Sequence, residues 1–535
     1  MPPLKPCSLP TCILLLAIFS QWASAGQGSE RDSTGSREHP CLPVRVETVQ
    51  HNVFDPDESG FTWLHEWANK IHIITKPVTI DDQLQGFDLC GDPDALYEVE
   101  RHLRDLGYLR NARVTMKEES ADGNERVVLV ETWDTWSLLP KFDFSRQGGE
   151  SKFDIGIIES NLLGYGAHTE LAYFSETDRN GYIFDLESGL FQGRHLTSRI
   201  TLVDSDDGER TRLRIERPFY SVNTPWATYV DWDNETREDS VKQGGETINE
   251  FSVDIRAFLA SWGWSRGLKG DYVLRYRLGY TYEDREFSPI PETTLLPDDR
   301  RRLQGWLQLE YLQDRFSEVY NLYLINKVED VNFGITAWLR AGWDFEHQGL
   351  VLAGGFSRGH HLTDHSRWFY RMTVDSEPID ADSFRYLVNM RNELFVDMNG
   401  RWRWYNKLAA VASHNQYLDR PVALGGDTDM RGFPVQFQHG EHSLLMSNEL
   451  RYYPGWTWYQ ILEVGCVAFW DLGKTYGGTV YQQENDELLQ SVGLGLRLYA
   501  SHSSNNVIHM DLSHPISDQP GVDNIEWRLQ VRAYF

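Results

Sequence analysis

The feature that most constrains the fold is a two-residue alternation of apolar and polar side chains, which continues over residues 136–535. The alternating segments are about ten residues long and are divided by turns rich in Gly, Asn, Asp and Pro, a pattern typical of β-strands. In residues 272–282 aromatic and aliphatic side chains take the even positions, whereas Arg275 and Arg277 take odd ones. The last strand, residues 527–535, divides its apolar and basic residues in the same way.

The arginines on the polar faces separate a membrane barrel from a soluble sandwich. An arginine that faces lipid near the middle of a bilayer costs roughly 2 to 4 kcal/mol, so these arginines require a water-filled lumen. The aromatic content of 13% also suits a barrel with aromatic girdles. We therefore expect a transmembrane antiparallel β-barrel over residues 136–535. At about 25 residues per strand and connection, it would have about 16 strands.

The N-terminus has the pattern of a secretory signal peptide. Lys5 supplies a positive charge, residues 13–19 form an apolar core, and Ala23-Ser24-Ala25 form a small-residue cleavage site. We expect cleavage after Ala25, which leaves the polar residues 26–41 as a flexible leader. No segment reaches the roughly 18 to 20 apolar residues that a transmembrane helix requires, which excludes a helical membrane protein.

Residues 42–135 are expected to form a small separate α+β domain. The pattern predicts a strand over residues 69–79 and a helix that begins at Pro93 and ends at Gly107. Two further strands are predicted, over residues 112–117 and 126–132. The end of the helix, with Gly107 and Tyr108, resembles a corner of the POTRA domain, a periplasmic module that precedes outer-membrane transport barrels.

A loop motif near the C-terminus carries the most specific resemblance. The chain reads Leu424-Gly425-Gly426-Asp427-Thr428-Asp429-Met430-Arg431-Gly432-Phe433-Pro434. About 40 residues later it reads Phe469-Trp470-Asp471-Leu472-Gly473. The two stretches, in this order, resemble the loop and strand motifs of the BamA-like superfamily of outer-membrane insertases and two-partner secretion transporters.

The resemblance implies that the loop folds back into the barrel and that Arg431 meets an aspartate on the wall. Strand parity identifies that aspartate as Asp471, which shares the lumen face with Phe469 and Gly473. A planar guanidinium confined in a barrel needs a bidentate anionic partner, and a carboxylate provides one. In the loop itself, the expected site comprises Gly425, Gly426, Arg431, Gly432 and Phe433.

The resemblance also implies a function in polypeptide transport. The POTRA-like domain would receive an unfolded client by β-augmentation, and a weak seam between the first and last strands would open together with the loop. Expected partners are the client, outer-membrane lipid, and a periplasmic chaperone or lipoprotein. The terminal Phe535 resembles the barrel signal that the assembly machinery recognises. Only one POTRA-like unit fits this chain, whereas relatives have two or five, so the client stays open.

The formal net charge of −28 argues against a nucleic-acid partner, because phosphate binding needs clustered Lys and Arg. No cofactor or nucleotide is implied. After cleavage the chain keeps Cys41, Cys90 and Cys466, of which Cys41 and Cys90 would be able to pair in an oxidising periplasm. Cys466 is expected to be a small apolar residue that faces lipid.

Two segments, residues 263–267 and 355–359, match the G-x-S-x-G pattern of hydrolases. A nucleophile elbow requires a strand on one side and a helix on the other, whereas both segments have strands on both sides. His360, His361 and His365 lack the fixed spacing of a metal site. We therefore expect neither catalytic nor metal-ligating residues, and no enzyme.

Two other functions compete with transport. One is a passive pore or structural barrel with an anchoring domain, although ordinary porins do not normally carry the paired motifs. The other is a barrel-anchored enzyme, for which the chain has no spare soluble domain. The transport hypothesis is favoured because Arg431 and Asp471 lie in two motifs that occur together.

Overall fold

The computed structural model describes residues 44–533 except for short gaps. These gaps are residues 57–61, 91–92, 118–125, 192–193, 326, 381–382, 459–461, 479–480, 482–486 and 501–505. The expected signal peptide and leader, Cys41 and the terminal Phe535 lie outside the described residues. Within the described part, no helix has both the length and the apolar character needed to cross a membrane.

An N-terminal domain contains three helices and a three-stranded sheet. Its elements are β1 (Val44–His51), α1 (Trp63–Ile71), α2 (Pro77–Leu84), α3 (Pro93–Arg104), β2 (Leu109–Lys117) and β3 (Arg126–Asp134). The sheet order is β1-β3-β2, with β1 parallel and β2 antiparallel to β3. Ile80, Val99, Leu103, Tyr108 and Val130 form the centre of the core. Helices α2 and α3 cover one face of the sheet because their apolar residues recur at helical spacing, whereas Ala68 of α1 packs in a separate cluster with Val53 and Phe54.

The strand expected over residues 69–79 is wrong. The chain is helical in α1 up to Ile71, extended for a few residues, and helical again from Pro77. Ile71, Ile73 and Ile74 favour a strand by composition. Pro77 at the first helical position favours a helix start, because proline has no N–H to satisfy. The helix expected from Pro93 is α3, which ends at Arg104, before Gly107.

The rest of the chain forms a closed antiparallel β-barrel, with twenty strands among the described residues. The strands are β4 (Leu138–Gln147), β5 (Glu150–Glu159), β6 (His168–Ser175), β7 (Asn180–Phe191), β8 (Leu196–Ser205), β9 (Gly208–Arg217), β10 (Trp226–Gln243), β11 (Glu246–Lys269), β12 (Tyr272–Ser288), β13 (Arg300–Gln313), β16 (Thr336–Asp344), β17 (Gly349–Thr363), β18 (Ser366–Pro378), β19 (Phe384–Asp397), β20 (Trp402–His414), β23 (His442–Trp458), β24 (Leu462–Tyr476), β25 (Leu489–Ala500), β26 (Asn506–Pro515) and β27 (Glu526–Ala533).

The expected count of about 16 strands is therefore too low. The estimate assumed longer connections than the barrel has. Two residues suffice to join β4 to β5, β8 to β9, β10 to β11 and β11 to β12. Since tight hairpins use little chain, four more strands fit into the same length.

The two faces of the barrel strands divide as the alternation predicts. Leu278, Leu494 and Trp527 are exposed on the outside. Inside, Arg275 Nη1 lies 3.0 Å from a carboxylate oxygen of Glu310 on the neighbouring strand. Arg275 on the inner face is therefore paired with a carboxylate, which offsets the cost of taking its charge out of bulk water.

Two insertions between barrel strands reach into the lumen. The first, here called the inserted hairpin (residues 314–335), joins β13 to β16 and contains β14 (Phe316–Tyr320) and β15 (Val328–Asn332). The second, here called the folded-in loop (residues 415–441), joins β20 to β23 and contains β21 (Val422–Leu424) and β22 (Gln438–Gly440). Because strands alternate in direction, the hairpin enters at the end near the N-terminal domain and the loop at the opposite, far end.

The barrel closes at a seam between its first and last strands. Among the described residues, β27 and β4 share a single register pair, Leu529 with Arg146. The neighbouring pairs β4–β5 and β26–β27 share ten and eight. Side chains supplement the seam, since Phe144 stacks on Trp527 with ring centroids 5.5 Å apart. The seam is therefore the place where the fewest backbone hydrogen bonds resist opening.

Candidate functional site

The tip of the folded-in loop carries Arg431 into the lumen, where it meets Asp471 on β24. The guanidinium donates from Nε to Asp471 Oδ2 at 2.6 Å and from Nη2 to Oδ1 at 2.8 Å. Arg431 is 5% exposed and Asp471 is fully buried. This is the bidentate geometry in which a guanidinium and a carboxylate bind most strongly.

Further groups hold the same guanidinium from other sides. Its Nη1 donates to Glu449 Oε1 on β23 at 2.8 Å and lies 3.6 Å from Asp511 Oδ2 on β26. The guanidinium carbon lies 3.6 Å from the centre of the Phe469 ring, which adds a cation–π contact. Arg431 thus connects the loop to three strands of the wall, β23, β24 and β26.

Small residues let the loop pack this closely. Gly432 has a φ of +89°, a conformation that glycine adopts without strain. A Cβ on Gly473 would lie 2.6 Å from Leu424 Cδ2 and 3.1 Å from Met430 Sδ, so a larger residue there would displace the loop. Phe433 is fully buried in an apolar cluster. This cluster also contains Leu424, Met430, Phe437, Leu445 and Leu489.

A second charge cluster is centred on Asp429, two residues before Arg431. The sequence analysis did not predict it. Asp429 accepts from Lys407 Nζ at 2.8 Å and from Arg528 Nη2 at 3.0 Å, and it also accepts from Arg532. Arg528 and Arg532 belong to β27, the last strand, so Asp429 ties the loop to the seam. No motif marks these cations, because alternating arginines are common throughout the barrel.

The base of the loop lies against the other side of the seam. A Cβ on Gly426 would be 2.6 Å from Gly148 Cα, in the turn between β4 and β5. Gly425 is similarly crowded, since its Cβ would lie 2.6 Å from Gln436 N. The loop therefore contacts both the first hairpin and, through Asp429, the last strand.

The inserted hairpin fills the lumen at the end near the N-terminal domain. Its tip buries Leu322, Leu324 and Ile325 against inner-face residues of the opposite wall. These wall residues are Phe395, Tyr405, Tyr453, Tyr499 and Val507. The strands β14 and β15 have five residues each, with apolar side chains three residues apart, so they are too short and irregular for the sequence to place this hairpin inside the barrel.

Polar contacts connect the hairpin to the folded-in loop. Arg451 Nε donates to Glu449 Oε2 at 2.8 Å, and Arg451 Nη1 donates to the Leu322 carbonyl at 3.4 Å. Since Glu449 also holds Arg431, one chain of contacts runs from the loop tip to the hairpin tip. The cavity that these side chains line has a volume of about 20 Å³, enough for one or two waters.

The hairpin is also bound to the N-terminal domain. Arg104 on α3 donates to Asp330 Oδ2 from Nε at 3.2 Å and from Nη2 at 2.9 Å. Tyr97 Oη donates to Asp330 Oδ1 at 2.7 Å. The Arg101 guanidinium lies over the Phe316 ring at 3.8 Å. A displacement of the domain is therefore transmitted directly to an element inside the lumen.

Gly107 and Tyr108 lie at the junction of the domain and the barrel. Tyr108 is buried in the domain core. Its ring also faces the turn between β5 and β6, where a Cβ on Gly166 would be 2.8 Å from Tyr108 Cε1. Gly107 accepts a hydrogen bond from Thr135 Oγ1 at 3.3 Å, just before the first barrel strand.

The other residues that the sequence singled out lie in the barrel wall. The two G-x-S-x-G segments are inside β11 and β17, which also contains His360 and His361. His361 stacks on Phe333 of the hairpin with ring centroids 3.9 Å apart. Cys466 is a free cysteine in β24, whereas Cys90 is disulfide-bonded.

Residues 343–498 match the model of one protein family, described as haemolysin secretion/activation protein ShlB/FhaC/HecB. This region includes the folded-in loop and the strand that carries Asp471. A comparison of the whole sequence with curated proteins finds no match.

Several solved structures also align with the chain. BamA from Haemophilus ducreyi lacking POTRA domains 1–3 is 11% identical, with 91% of this chain and 84% of that chain covered and a TM-score of 0.38. CdiB from Acinetobacter baumannii is 9% identical, with coverage of 85% and 71% and a TM-score of 0.44. CdiB from Escherichia coli is 11% identical, with coverage of 94% and 92% and a TM-score of 0.39.

The family match covers both charge partners of the loop, Arg431 and Asp471, and the strands that surround them. The chain is thus an outer-membrane β-barrel protein whose residues 343–498 resemble the ShlB/FhaC/HecB family of haemolysin secretion/activation proteins.

Proposed function

We propose that this protein inserts polypeptides into the outer membrane or moves them across it. The observation that carries the proposal is the position of Asp429 and Arg431 on one loop. Asp429 binds cations of the last strand, at the seam that has one register pair among the described residues, and Arg431 binds the inner wall at β24, three strands away from the last strand. The loop contacts the first hairpin and the last strand, which together form the seam. A loop in this position is suited to controlling when the seam opens.

An open seam would provide what a polypeptide client needs. Separation of β4 from β27 exposes unpaired backbone N–H and C=O groups, which are a template for an incoming strand. Opening costs little backbone hydrogen bonding, because one register pair is lost rather than the eight or more of neighbouring strands. No nucleotide or metal is needed, since client folding supplies the free energy.

The N-terminal domain would receive the client as a POTRA-like module in the periplasm. Among the described residues, both outer strands of its sheet, β1 and β2, have one edge without a neighbouring strand in the β1-β3-β2 order. A strand-like client is able to pair with such an edge. The Arg104–Asp330 contact then gives a route from client binding to the hairpin inside the lumen. A periplasmic chaperone or lipoprotein would deliver the client to the same domain.

A passive pore is the alternative function, and the lumen argues against it. The folded-in loop and the inserted hairpin enter from opposite ends and meet through Glu449 and Arg451. The cavity between them has room for about one or two waters. Two separately anchored elements inside the lumen would obstruct a constitutive channel.

The test of the proposal replaces Arg431→Ala in the full-length protein in its bacterial host. The matched control is Arg420→Ala on the same loop, where the guanidinium is 41% exposed and lies 3.8 Å from Glu283. We expect both barrels to accumulate in the outer membrane, with transport lost in the first variant alone. Normal transport by Arg431→Ala at equal abundance would favour the passive pore.

A depletion experiment distinguishes insertion from secretion. The outer-membrane proteome and the culture supernatant are quantified together, before growth slows. Loss of one secreted protein indicates a dedicated exporter, whereas a fall in several barrels indicates an insertase. If neither fraction changes, the transport proposal is overturned.

A further inference from the structure

One face of helix α1 in the N-terminal domain is apolar and exposed. Trp63, Trp67 and Ile71 recur every four residues, so they lie on the same side of the helix. Trp63 is 77% exposed and Trp67 is 49% exposed. The opposite side is buried in the domain through His65 and Ala68. The helix is thus packed on one side, and its largest apolar side chains point outward.

The exposed surface continues beyond the helix. Ile73 and Ile74, in the extended segment after α1, and Val78 on α2 are also exposed. Soluble surfaces rarely present a contiguous patch of large apolar side chains, and such a patch marks a binding surface for a protein or a membrane. The position of this patch relative to the barrel decides between a protein and a membrane as its partner.

This segment is fastened to the barrel at the turn between β5 and β6. Lys76 N donates to the Gly164 carbonyl at 2.9 Å, and Thr79 Oγ1 donates to the same oxygen at 2.8 Å. The Lys76 ammonium lies over the Tyr165 ring at 3.6 Å. A Cβ on Gly164 would be 3.5 Å from Ile73 Cγ2, so the isoleucines reach the turn itself.

The turn adds its own exposed apolar side chains. Leu162, Leu163 and Tyr165 are all exposed. Leu163 has a φ of +56°, a left-handed conformation that a leucine rarely adopts. Backbone strain of this kind persists where the surrounding structure holds a residue in a required position. Here the strained backbone presents a leucine outward at the rim of the barrel.

Directly above the turn, the outer wall of the barrel is apolar. Ile155 and Ile157 on β5 and Leu171 on β6 are each more than half exposed, on the face that the barrel turns to lipid. The turn starts a few residues after Ile157, and a strand rises about 3.3 Å per residue. Apart from the polar pair Glu159 and Thr169, which shares this face next to the turn, the apolar surface therefore runs from the lipid-facing wall, over the turn, to α1.

From this continuity we propose that the exposed face of α1, residues 73–78 and the turn at residues 160–167 form a membrane-interfacial anchor. The partner is phospholipid of the leaflet on the domain side of the barrel. Tryptophan and tyrosine concentrate at this level of a bilayer, and an amphipathic helix buries its apolar face in the headgroup region. The exposed Lys70, beside Trp67 and Ile71, is placed to meet anionic headgroups.

The anchor fixes the orientation of the N-terminal domain relative to the membrane plane. Since α3 of the same domain holds the inserted hairpin through Arg104 and Asp330, the anchored domain also holds the hairpin in place. The inference requires that the barrel spans a membrane, and it does not depend on polypeptide transport.

Photo-cross-linking of the full chain in nanodiscs of phosphatidylethanolamine and phosphatidylglycerol tests this inference. p-Benzoylphenylalanine replaces Trp63 or Trp67, and the matched control replaces Thr115, an exposed residue on β2. We expect about tenfold more lipid adduct at positions 63 and 67 than at position 115, because an interfacial face lies roughly 5 to 10 Å within the headgroup boundary. Trp63 is 77% exposed, and Trp67 is half exposed with its ring edge-on to Trp136 at 6.1 Å, so the substitution at position 63 leaves packing intact and the one at position 67 keeps an aromatic ring in that contact.

A second variant separates anchoring from mere proximity to lipid. With the photoreactive residue at position 63, Trp67→Glu and Ile71→Glu are introduced together. The lipid adduct at position 63 should then fall to the level of position 115. Lipid adducts at position 63 no higher than at position 115 would overturn the inference. Adducts to protein instead of lipid would also overturn it and identify the surface as a protein-docking site.

Discussion

The folded-in loop and the inserted hairpin obstruct the same lumen from opposite ends, but different forces hold them. Besides its apolar cluster around Phe433, the loop is held at its tip by buried charges, with Arg431 on Asp471 and Asp429 on the cations of the last strand. The hairpin is held by an apolar tip inside the lumen and by the Asp330 ion pair at the N-terminal domain. Loss of one charge partner leaves the other buried charge uncompensated, whereas loss of apolar volume lowers stability in proportion to the cavity that it creates. We therefore call the folded-in loop (residues 415–441), at the far end of the barrel, the latch. The inserted hairpin (residues 314–335), at the domain end, is called the plug.

The largest effect is expected when the latch loses its wall partner. Asp471→Ala leaves the Arg431 guanidinium buried without its bidentate acceptor, and breaking such a pair costs about 3–5 kcal/mol. We expect residues 426–433 to lose protection in hydrogen exchange and the reconstituted barrel to gain conductance. The inserted hairpin should keep its protection.

A charge-free double variant is the control for this prediction. Replacing Arg431→Met together with Asp471→Leu removes both charges, and Glu449 keeps Arg451 as a partner. Because no carboxylate or guanidinium is then stranded, the loss of protection should be smaller than for Asp471→Ala alone. Equal protection in Asp471→Ala and the unmodified protein would show that the loop is not latched by this pair.

The plug should respond to the loss of apolar volume. Ile325 is 2% exposed, and truncation of a buried isoleucine to alanine costs about 2–4 kcal/mol. Ile325→Ala is therefore expected to raise exchange in residues 316–332 and to leave the folded-in loop protected. Leu268→Ala, on an exposed side chain of β11, is the control.

Combining Ile325→Ala with Asp471→Ala measures how far latch and plug act together. The link between them passes through the 3.4 Å contact of Arg451 with the Leu322 carbonyl, which is long for a hydrogen bond. We expect the two effects to add within about 1 kcal/mol. A larger interaction energy would make loop and hairpin one cooperative unit and remove the distinction between them.

The sequence analysis predicted the contact of Arg431 with Asp471 and did not predict the inserted hairpin, for a physical reason. Arg431 and Asp471 lie in motifs of fixed order, and strand parity alone brings Asp471 to the lumen. The hairpin strands β14 and β15 have five residues each and no regular alternation, and only the packing of the closed barrel shows that they lie inside it. Asp429 was missed similarly, since its partners on β27 are about a hundred residues away.

The barrel itself was predictable because two-residue periodicity is a local property, whereas the strand count depends on turn length. The N-terminal domain shows the opposite case. Ile71, Ile73 and Ile74 favour a strand by composition, but Pro77 and the docking of Lys76 on the Gly164 carbonyl give two helices with an extended link. Tertiary contacts decided that segment against local propensity.

A smaller effect is expected at the contact between the plug and the N-terminal domain. The Arg104 and Asp330 side chains are 17% and 12% exposed, so solvent screens the pair in part. Asp330→Ala removes the acceptor of Arg104 and Tyr97 and should cost about 1–2 kcal/mol. Pulsed electron paramagnetic resonance between spin labels on α3 and the hairpin should show a broader distance distribution. Glu318→Ala, whose carboxylate lies 4.0 Å from Arg104, should leave the distribution unchanged.

The smallest effect is a pH dependence of domain docking through His102 on α3. Its ring lies 4.9 Å from Phe87 and 5.7 Å from His195, which is on the barrel, and Nε2 is 3.0 Å from Gln83 Oε1. Burial, with the nearby His195 and Arg101, lowers the pKa of His102 to about 4.

Folding therefore favours the neutral ring of His102. Its contribution to docking is complete above the unfolded pKa of about 6.5 and falls as the pH drops towards 4. Between pH 7.5 and 6 the loss should stay below about 1 kcal/mol. Limited proteolysis of the junction at both pH values measures it, with His102→Phe as a variant that keeps an aromatic ring but does not titrate. If acid loosens the junction equally in the His102→Phe variant, docking does not depend on the protonation of His102. His195 is then the first of the other groups to be tested.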